Sequence, residues 1–279
     1  MEKLAQSHVA VFGLGGVGSY AAEALARTGV GRLTLVEFDR VCVTNINRQL
    51  HALTGTVGRL KADLMAERIR AVNPGIDLRV CNEFYNRDTS ASLLEPRPDI
   101  VIDCIDNVTA KMHLVATCVD LDLPIVATLG AAAKLDPTCI RVVPLTATHT
   151  DPLGRALRKH IRRKHDVTEE QLSRVVAVFS DEPVRQPFTD HGGVVCGVDC
   201  VCPSSDNEHH TCKKRHVIYG TAVFVVSAFG MAAASAAVRM LLGMVPLSRD
   251  IKCDRCGYVT DPTKSVIEKR KVPKTFGQY

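Results

Sequence analysis

Residues 9–19, Val-Ala-Val-Phe-Gly-Leu-Gly-Gly-Val-Gly-Ser, constrain this chain more than any other stretch. An apolar run ends in Gly13, Gly15, Gly16 and Gly18, and a helix-like segment comes next, from Tyr20 to Thr28. The order is strand, tight turn, helix, with the glycines in a G-x-G-x-x-G frame. The first glycine permits the turn, the second lets backbone N–H groups approach a phosphate, and the third lets the helix pack on the strand. A helix start also presents free N–H donors and partial positive charge to an anion. Glycine turns arise for packing alone, so context matters: strand and helix flank this one correctly, and an acid, Glu37, lies at a suitable distance beyond it. A nucleotide phosphate is the expected ligand.

Beyond the turn, apolar runs alternate with helical patterns. Strands are expected over 32–36, 76–81, 99–104 and 124–128, and helices over 17–27, 61–72 and 109–121. Short, continuous apolar runs of this kind suit a parallel sheet buried on both faces. The alternation predicts an α/β fold, a doubly wound, mostly parallel Rossmann-like sheet. After residue 130 the pattern changes. Residues 139–143 are read as a further strand. Asp151 is a fair N-cap with Pro152 at the first helical position. Leu153, Leu157 and Ile161 then share one helix face, while Arg155, Arg158, Lys159, Arg162, Arg163 and Lys164 cover the rest. Residues 180–215 read as a Cys-rich loop, with an apolar helix and a basic tail after it. The expected organisation is an ATP-binding region over 1–145, a substrate and Cys-rich part of the same domain over 146–245, and a tail over 246–279.

Composition sets outer bounds. The 279 residues are 46% hydrophobic, which describes a globular chain. The net charge of +5 is compatible with an RNA partner without requiring one. No secretory signal precedes the first strand, so a cytoplasmic protein is expected, with Cys42, Cys81, Cys104, Cys118 and Cys139 as reduced thiols. Between Arg215 and Arg239 there is no Asp, Glu, Lys or Arg, a length that spans a bilayer. The Ala, Gly, Ser and Val there suit a helix packed closely on a sheet instead, and no membrane association is expected.

The polar residues point past simple dinucleotide binding. Asn45, Asn47, Arg48 and Gln49 cluster after the second strand, Lys61 opens a helix, and Asp106 and Asn107 come just after the fourth strand. In an open α/β sheet ligands sit beyond the carboxyl ends of the strands. Gly15, Glu37, Arg48, Lys61 and Asp106 should therefore share one crevice. A hydride-transfer enzyme has no use for so many phosphate-grade groups. An enzyme attacking the α-phosphate of ATP does: Arg48 and Lys61 would stabilise the triphosphate, and Asp106 would hold Mg²⁺. Taken singly, these residues also have plain structural readings as a surface arginine, a solvated lysine and a helix cap.

Gly-Leu-Gly-Gly-Val-Gly, Glu-Phe-Asp, Asn-x-Asn-Arg-Gln, Val-Gly-Arg-Leu-Lys and Asp-Cys-Ile-Asp-Asn, in this order over about residues 8–145, resemble the ubiquitin-activating-type adenylyltransferases. That superfamily includes the activators of sulfur carriers. The resemblance implies Glu37 on the ATP ribose, Arg48 and Lys61 on phosphates, Asn45 and Asn107 nearby, and Asp106 at Mg²⁺. Within it, the chain is most similar to the tRNA threonylcarbamoyladenosine dehydratases. The telling stretches are Ala26-Arg-Thr-Gly-Val-Gly31, Val41 to Ala52, the Thr150-Asp-Pro-Leu helix and the Cys-rich Val195 to Pro203. This implies ATP-dependent adenylation of the free carboxylate on a modified tRNA adenosine beside the anticodon, then ring closure by an atom of the same modification. The helix bearing Arg155, Arg158, Lys159, Arg162 and Arg163 would lie along tRNA phosphates. Few platforms for base stacking exist, with 5% aromatic residues and no Trp.

Several expectations stay open at the sequence level. Zinc on four of Cys196, Cys200, Cys202, Cys212, Cys253 and Cys256 competes with free thiols and with a disulfide relay to a sulfur-handling partner. Family members are homodimers in which an N-terminal helix usually carries an arginine to the other subunit's ATP. This sequence begins about where that helix would end, so the arginine is expected to be absent or replaced. The functional alternatives are an activator of a ubiquitin-like sulfur carrier and a non-catalytic nucleotide-binding homologue, with an NAD oxidoreductase a distant fourth.

Overall fold

The computed structural model describes residues 2–185 and 219–246, together with the short strands Asp206–Asn207 and His210–Thr211. The chain divides into two units, Met1–Leu247 and Ser248–Tyr279. The first unit holds the sheet and its helices; the second lies outside the described residues.

Seven strands form the central sheet: β1 (His8–Phe12), β2 (Arg32–Val36), β3 (Asp77–Cys81), β4 (Ile100–Asp103), β5 (Ile125–Thr128), β6 (Ile140–Pro144) and β7 (Val176–Ser180). Their order is β3-β2-β1-β4-β5-β7-β6. All neighbours run parallel except β6, which pairs antiparallel with β7 at one edge. A two-stranded ladder of β8 (Asp206–Asn207) and β9 (His210–Thr211) stands apart. The helices are α1 (Glu2–Ala5), α2 (Gly18–Thr28), α3 (Lys61–Val72), α4 (Ser90–Leu93), α5 (Val108–Asp120), α6 (Pro152–His165), α7 (Glu169–Ser173) and α8 (Val223–Leu241). The doubly wound sheet expected from the strand–helix alternation is thus present. α3 spans the expected residues, and the other expected strands and helices lie within a residue or two. The sequence reading did not include β7, which inserts between β5 and β6.

Period-two alternation sends strand side chains to two cores. Val9, Val11, Leu33, Leu35, Ile100 and Ile102 pack with α2, α3 and α8 on one face. Ala10, Phe12, Val101, Ile125, Ala127 and Phe179 pack with α5 and α6 on the other. α8 is long and apolar enough to cross a membrane, with a mean hydropathy of 1.7. Here it lies on the sheet, with Val225, Val226, Phe229, Ala233 and Ala237 buried in the first core.

Candidate active site

A cleft of about 740 Å³ opens beyond the carboxyl ends of β1, β2, β4 and β5. This is where the strand order reverses, the position at which open α/β sheets bind ligands. Its floor is the glycine turn. Gly13 has φ +84°, and a Cβ there would lie 2.8 Å from the Cys104 carbonyl oxygen, so no other residue fits. Gly18 lies outside the lining: a Cβ on it would come 1.8 Å from the Gly13 oxygen, so its work is to let α2 meet β1. Gly15 and Gly16 line the cleft directly. The residue before α2, Val17, offers no side-chain acceptor, so no side chain caps the first helical turn. That arrangement suits an anion.

Acidic and basic groups ring the floor. Glu37 is buried, and its two oxygens accept from Leu14 N (2.8 Å) and Asp39 N (3.0 Å). Burial pushes the Glu37 carboxyl above its usual range; the Lys61 charge and these two N–H groups oppose that shift. A carboxylate has lone pairs for further donors such as a hydroxyl. Lys61 is buried at the start of α3, with Nζ 2.5 Å from Asp39 Oδ2. Its backbone is held as well, Lys61 N donating to Asp39 O at 3.0 Å. Arg48 lies beside the turn: a Cβ on Gly16 would sit 3.4 Å from Arg48 Cγ. Its Nη1 donates to Thr44 O (2.7 Å) and Asn47 Oδ1 (2.9 Å). Asn45 lines the cleft while its Oδ1 accepts from Cys42 N at 3.0 Å. Asp106 is exposed on the rim formed by the loop after β4.

Gly15, Gly16, Glu37, Asn45, Arg48, Lys61 and Asp106 therefore share one cavity. Asn107 does not line it. Its side chain accepts from Thr109 N and Ala110 N, both at 3.0 Å, and caps α5. Sequence reading gave no role to three further features of the cleft. Asp39 holds Lys61. Gln49 is buried, with Oε1 lacking a hydrogen-bond partner among the described residues. Phe38 and Phe84 meet edge-to-face at 5.0 Å, and both line the wall with Tyr85. Glu-Phe-Asp and Phe84-Tyr85 just beyond two strand ends were the available signals. Behind the site Asp103 and Lys111, both fully buried, pair at 2.7 Å.

The basic helix α6 forms as expected, Asp151 Oδ1 accepting from Gly154 N at 2.8 Å. Leu157 and Ile161 are buried, and Leu153 reaches the cleft. Its charges are not equivalent. Arg155, Lys159 and Arg163 are exposed. Arg158 is half-buried, with Nη1 bonded to Thr148 Oγ1, and desolvation lowers its pKa. Arg162 pairs with Glu169 at 2.8 Å. Cys196, Cys200, Cys202, Cys212, Cys253 and Cys256 lie outside the described residues. Among the described residues no group of three or more His, Cys, Asp or Glu is placed to hold a metal ion; Cys81, Cys104, Cys118 and Cys139 are free thiols, and Cys42 Sγ accepts from Thr44 Oγ1 at 3.2 Å.

A glycine turn under a cleft lined by Arg40, Arg48, Lys61 and several carboxylates, at the switch point of a parallel sheet, defines a nucleotide-binding fold built for triphosphate chemistry. The model of the ThiF family matches residues 1–258, and the chain belongs to that family. It is 39% identical over 244 residues to the tRNA threonylcarbamoyladenosine dehydratase of Escherichia coli (strain K12), covering 87% of this chain and 88% of that one. It is 44% identical over 182 residues to the Bacillus subtilis (strain 168) protein of the same name, covering 65% and 70%. Solved structures of the E. coli dehydratase superpose with TM-scores of 0.74 for the AMP complex and 0.72 for the ATP complex. Each is 38% identical and covers 87% of this chain and 88% of that one.

Proposed function

We propose that this protein is an ATP-dependent enzyme that dehydrates N6-threonylcarbamoyladenosine beside the tRNA anticodon, closing it into a ring. The observation that carries the reading is the gathering of Arg48, Lys61 and Asp106 in the glycine-turn cavity. It is supported by the relatives' coverage, which extends over α6 as well as over the nucleotide half.

The chemistry asks little of the protein beyond placement. The substrate carboxylate attacks the α-phosphorus of ATP, and the bond to the β-phosphate oxygen breaks. An atom of the same modification then attacks the acyl carbon, and AMP leaves with the carboxylate oxygen. The nucleophiles come from the RNA, so the chain supplies orientation and charge. Glu37 receives the ribose, the turn and the start of α2 receive the phosphates, and Arg48 and Lys61 offset charge on the triphosphate. Mg²⁺ keeps most of its water and binds through one or two carboxylates plus substrate phosphates. Asp106, an exposed carboxylate at the rim of a cleft that also holds Arg40, Arg48 and Lys61, fits that habit. The ion would neutralise phosphate charge. The exposed Arg155, Lys159 and Arg163 track tRNA phosphates outside the cleft. A homodimer accords with the uncharged outer stripe of α8, where Phe224 and Met231 are exposed.

The test is nucleoside analysis of threonylcarbamoyladenosine-bearing tRNA after incubation with ATP and Mg²⁺. The cyclic nucleoside should replace its precursor, and Asp106→Ala should lower turnover at least 100-fold with circular dichroism unchanged. Pyrophosphate exchange that instead depends on a carrier protein would move the reading to sulfur-carrier activation. ATP binding with neither reaction would leave a non-catalytic module.

A further inference from the structure

The loop after β5 joins the cleft to the basic helix through one buried side chain. Asp151 is 2% exposed. Its Oδ1 caps α6 on Gly154 N at 2.8 Å, and its Oδ2 accepts from Gly130 N at 3.1 Å. Lys134, 1% exposed, sits with Nζ 3.7 Å from the same Oδ2 and donates to Ser180 O at 3.1 Å. The fit is close: a Cβ on Gly130 would lie 3.0 Å from Asp151 Oδ2. Capping a helix needs one oxygen and no buried lysine. A buried ion pair is a poor source of stability and a better means of fixing one arrangement. The second oxygen and Lys134 thus hold the loop rather than the helix.

What the loop offers is a pair of backbone donors. Leu129 N donates to Val178 O, Gly130 N to Asp151, and Ala133 N to Gly220 O. Ala131 N and Ala132 N donate to no protein acceptor among the described residues, and both residues line the cleft. Backbone N–H groups near buried surface are seldom left without a partner, so a ligand oxygen is the natural acceptor. In the proposed reaction, the acyl oxygen gains negative charge when the ring-closing atom adds to the acyl carbon. It gives that charge up when the bond to AMP breaks. Two preorganised N–H donors stabilise such an oxygen.

We infer that Asp151 is a positioning residue: it sets the Gly130–Ala132 loop so that Ala131 N–H and Ala132 N–H receive the acyl oxygen, in register with the start of the helix that holds the RNA. The inference rests on the reading given under Proposed function. Asp151→Asn separates the two tasks of this side chain, since the amide oxygen keeps the cap on Gly154 while the charge and the second acceptor are lost. With the full-length protein, ATP, Mg²⁺ and threonylcarbamoyladenosine-bearing tRNA, kcat for cyclisation should fall at least tenfold. KM for tRNA and Kd for ATP should stay within twofold of the parent. Asp151→Ser, which also caps helices, should show the same split if the Asn variant folds poorly. A kcat within twofold of the parent, or kcat, KM and Kd worsening together, overturns the inference and leaves Asp151 as a structural cap. Absence of cyclic product from the unaltered protein overturns the reading itself, and the inference with it.

Discussion

α6 and α8 cover opposite faces of one sheet with opposite sequences. α6 buries a narrow stripe, Leu157 and Ile161, and spends the rest of its surface on charge. α8 has no charged residue before Arg239 and buries small side chains against α2. The difference lies in how closely each must approach. Gly230 lets the α8 backbone reach α2, where a Cβ would come 2.4 Å from Val17 O and 2.9 Å from Tyr20 Cβ. α6 stands off on branched side chains, so its outer positions are free to serve a polyanion. The small residues of α8 are fixed by the packing of the molecule, whereas packing places no such demand on the exposed Arg155, Lys159 and Arg163 of α6.

The largest break in this contrast should come from Gly230→Val. Val17 O and Ala21 N are backbone and Tyr20 Cβ is fixed to it, so none can rotate away, and a loss of more than about 3 kcal/mol, or failure to fold, is expected in urea titration. A buried ring gives the next effect. His51 is 4% exposed, and neither ring nitrogen has a hydrogen-bond partner among the described residues. Burial, with the Lys61 charge second, holds its pKa down to about 4. The unfolded chain takes up this proton near pH 6.5 and the folded one does not. Its contribution is therefore intact above about 6.5 and is lost as pH falls toward 4, by up to about 3 kcal/mol. His51→Leu should remove that part of the slope in stability measured between pH 7 and 4; an unaltered slope would assign it to other groups.

Charge reversal of Arg155, Lys159 and Arg163 together should weaken tRNA binding on the order of tenfold and flatten its salt dependence, with little change in stability. Arg158 is left out because it bonds to Thr148 and would confuse folding with binding. Unchanged affinity would make the outer face of α6 a solvated surface and end the functional half of the comparison. The smallest effect should come from Met231→Lys on the outer stripe of α8. Monomer stability should shift by no more than about 0.5 kcal/mol, while light scattering should show a dimer becoming a monomer. A dimer that survives it is held elsewhere.

Much of this was legible before any coordinates, for physical reasons that differ by region. The strands from β1 to β5 are short apolar runs closed by turn residues, a local signal, and the glycine frame fixes the turn and helix after β1. β7 carries an equally apolar run, Val176-Ala-Val-Phe-Ser180, yet its slot between β5 and β6 is a non-local pairing that periodicity does not encode. The site shows the same division. Gathering Glu37, Arg48, Lys61 and Asp106 came from the rule that ligands sit at strand ends. The partners of those residues did not: Asp39 meets Lys61 across 22 positions, and Gly130 meets Asp151 across 21. The resemblance put Asn107 near the nucleotide, whereas the start of α5 takes its oxygen as a cap.

Just past the Gly13 N to Val36 O hydrogen bond that ends the β1–β2 ladder, Glu37 ties the two diverging segments together, one oxygen on the turn at Leu14 and one on the loop at Asp39. The gap between those segments thus has a gauge, the length of a glutamate side chain. Shortening it by one methylene would leave the carboxylate able to grip only one side, and the sugar of any nucleotide seated there would meet a mouth of different width.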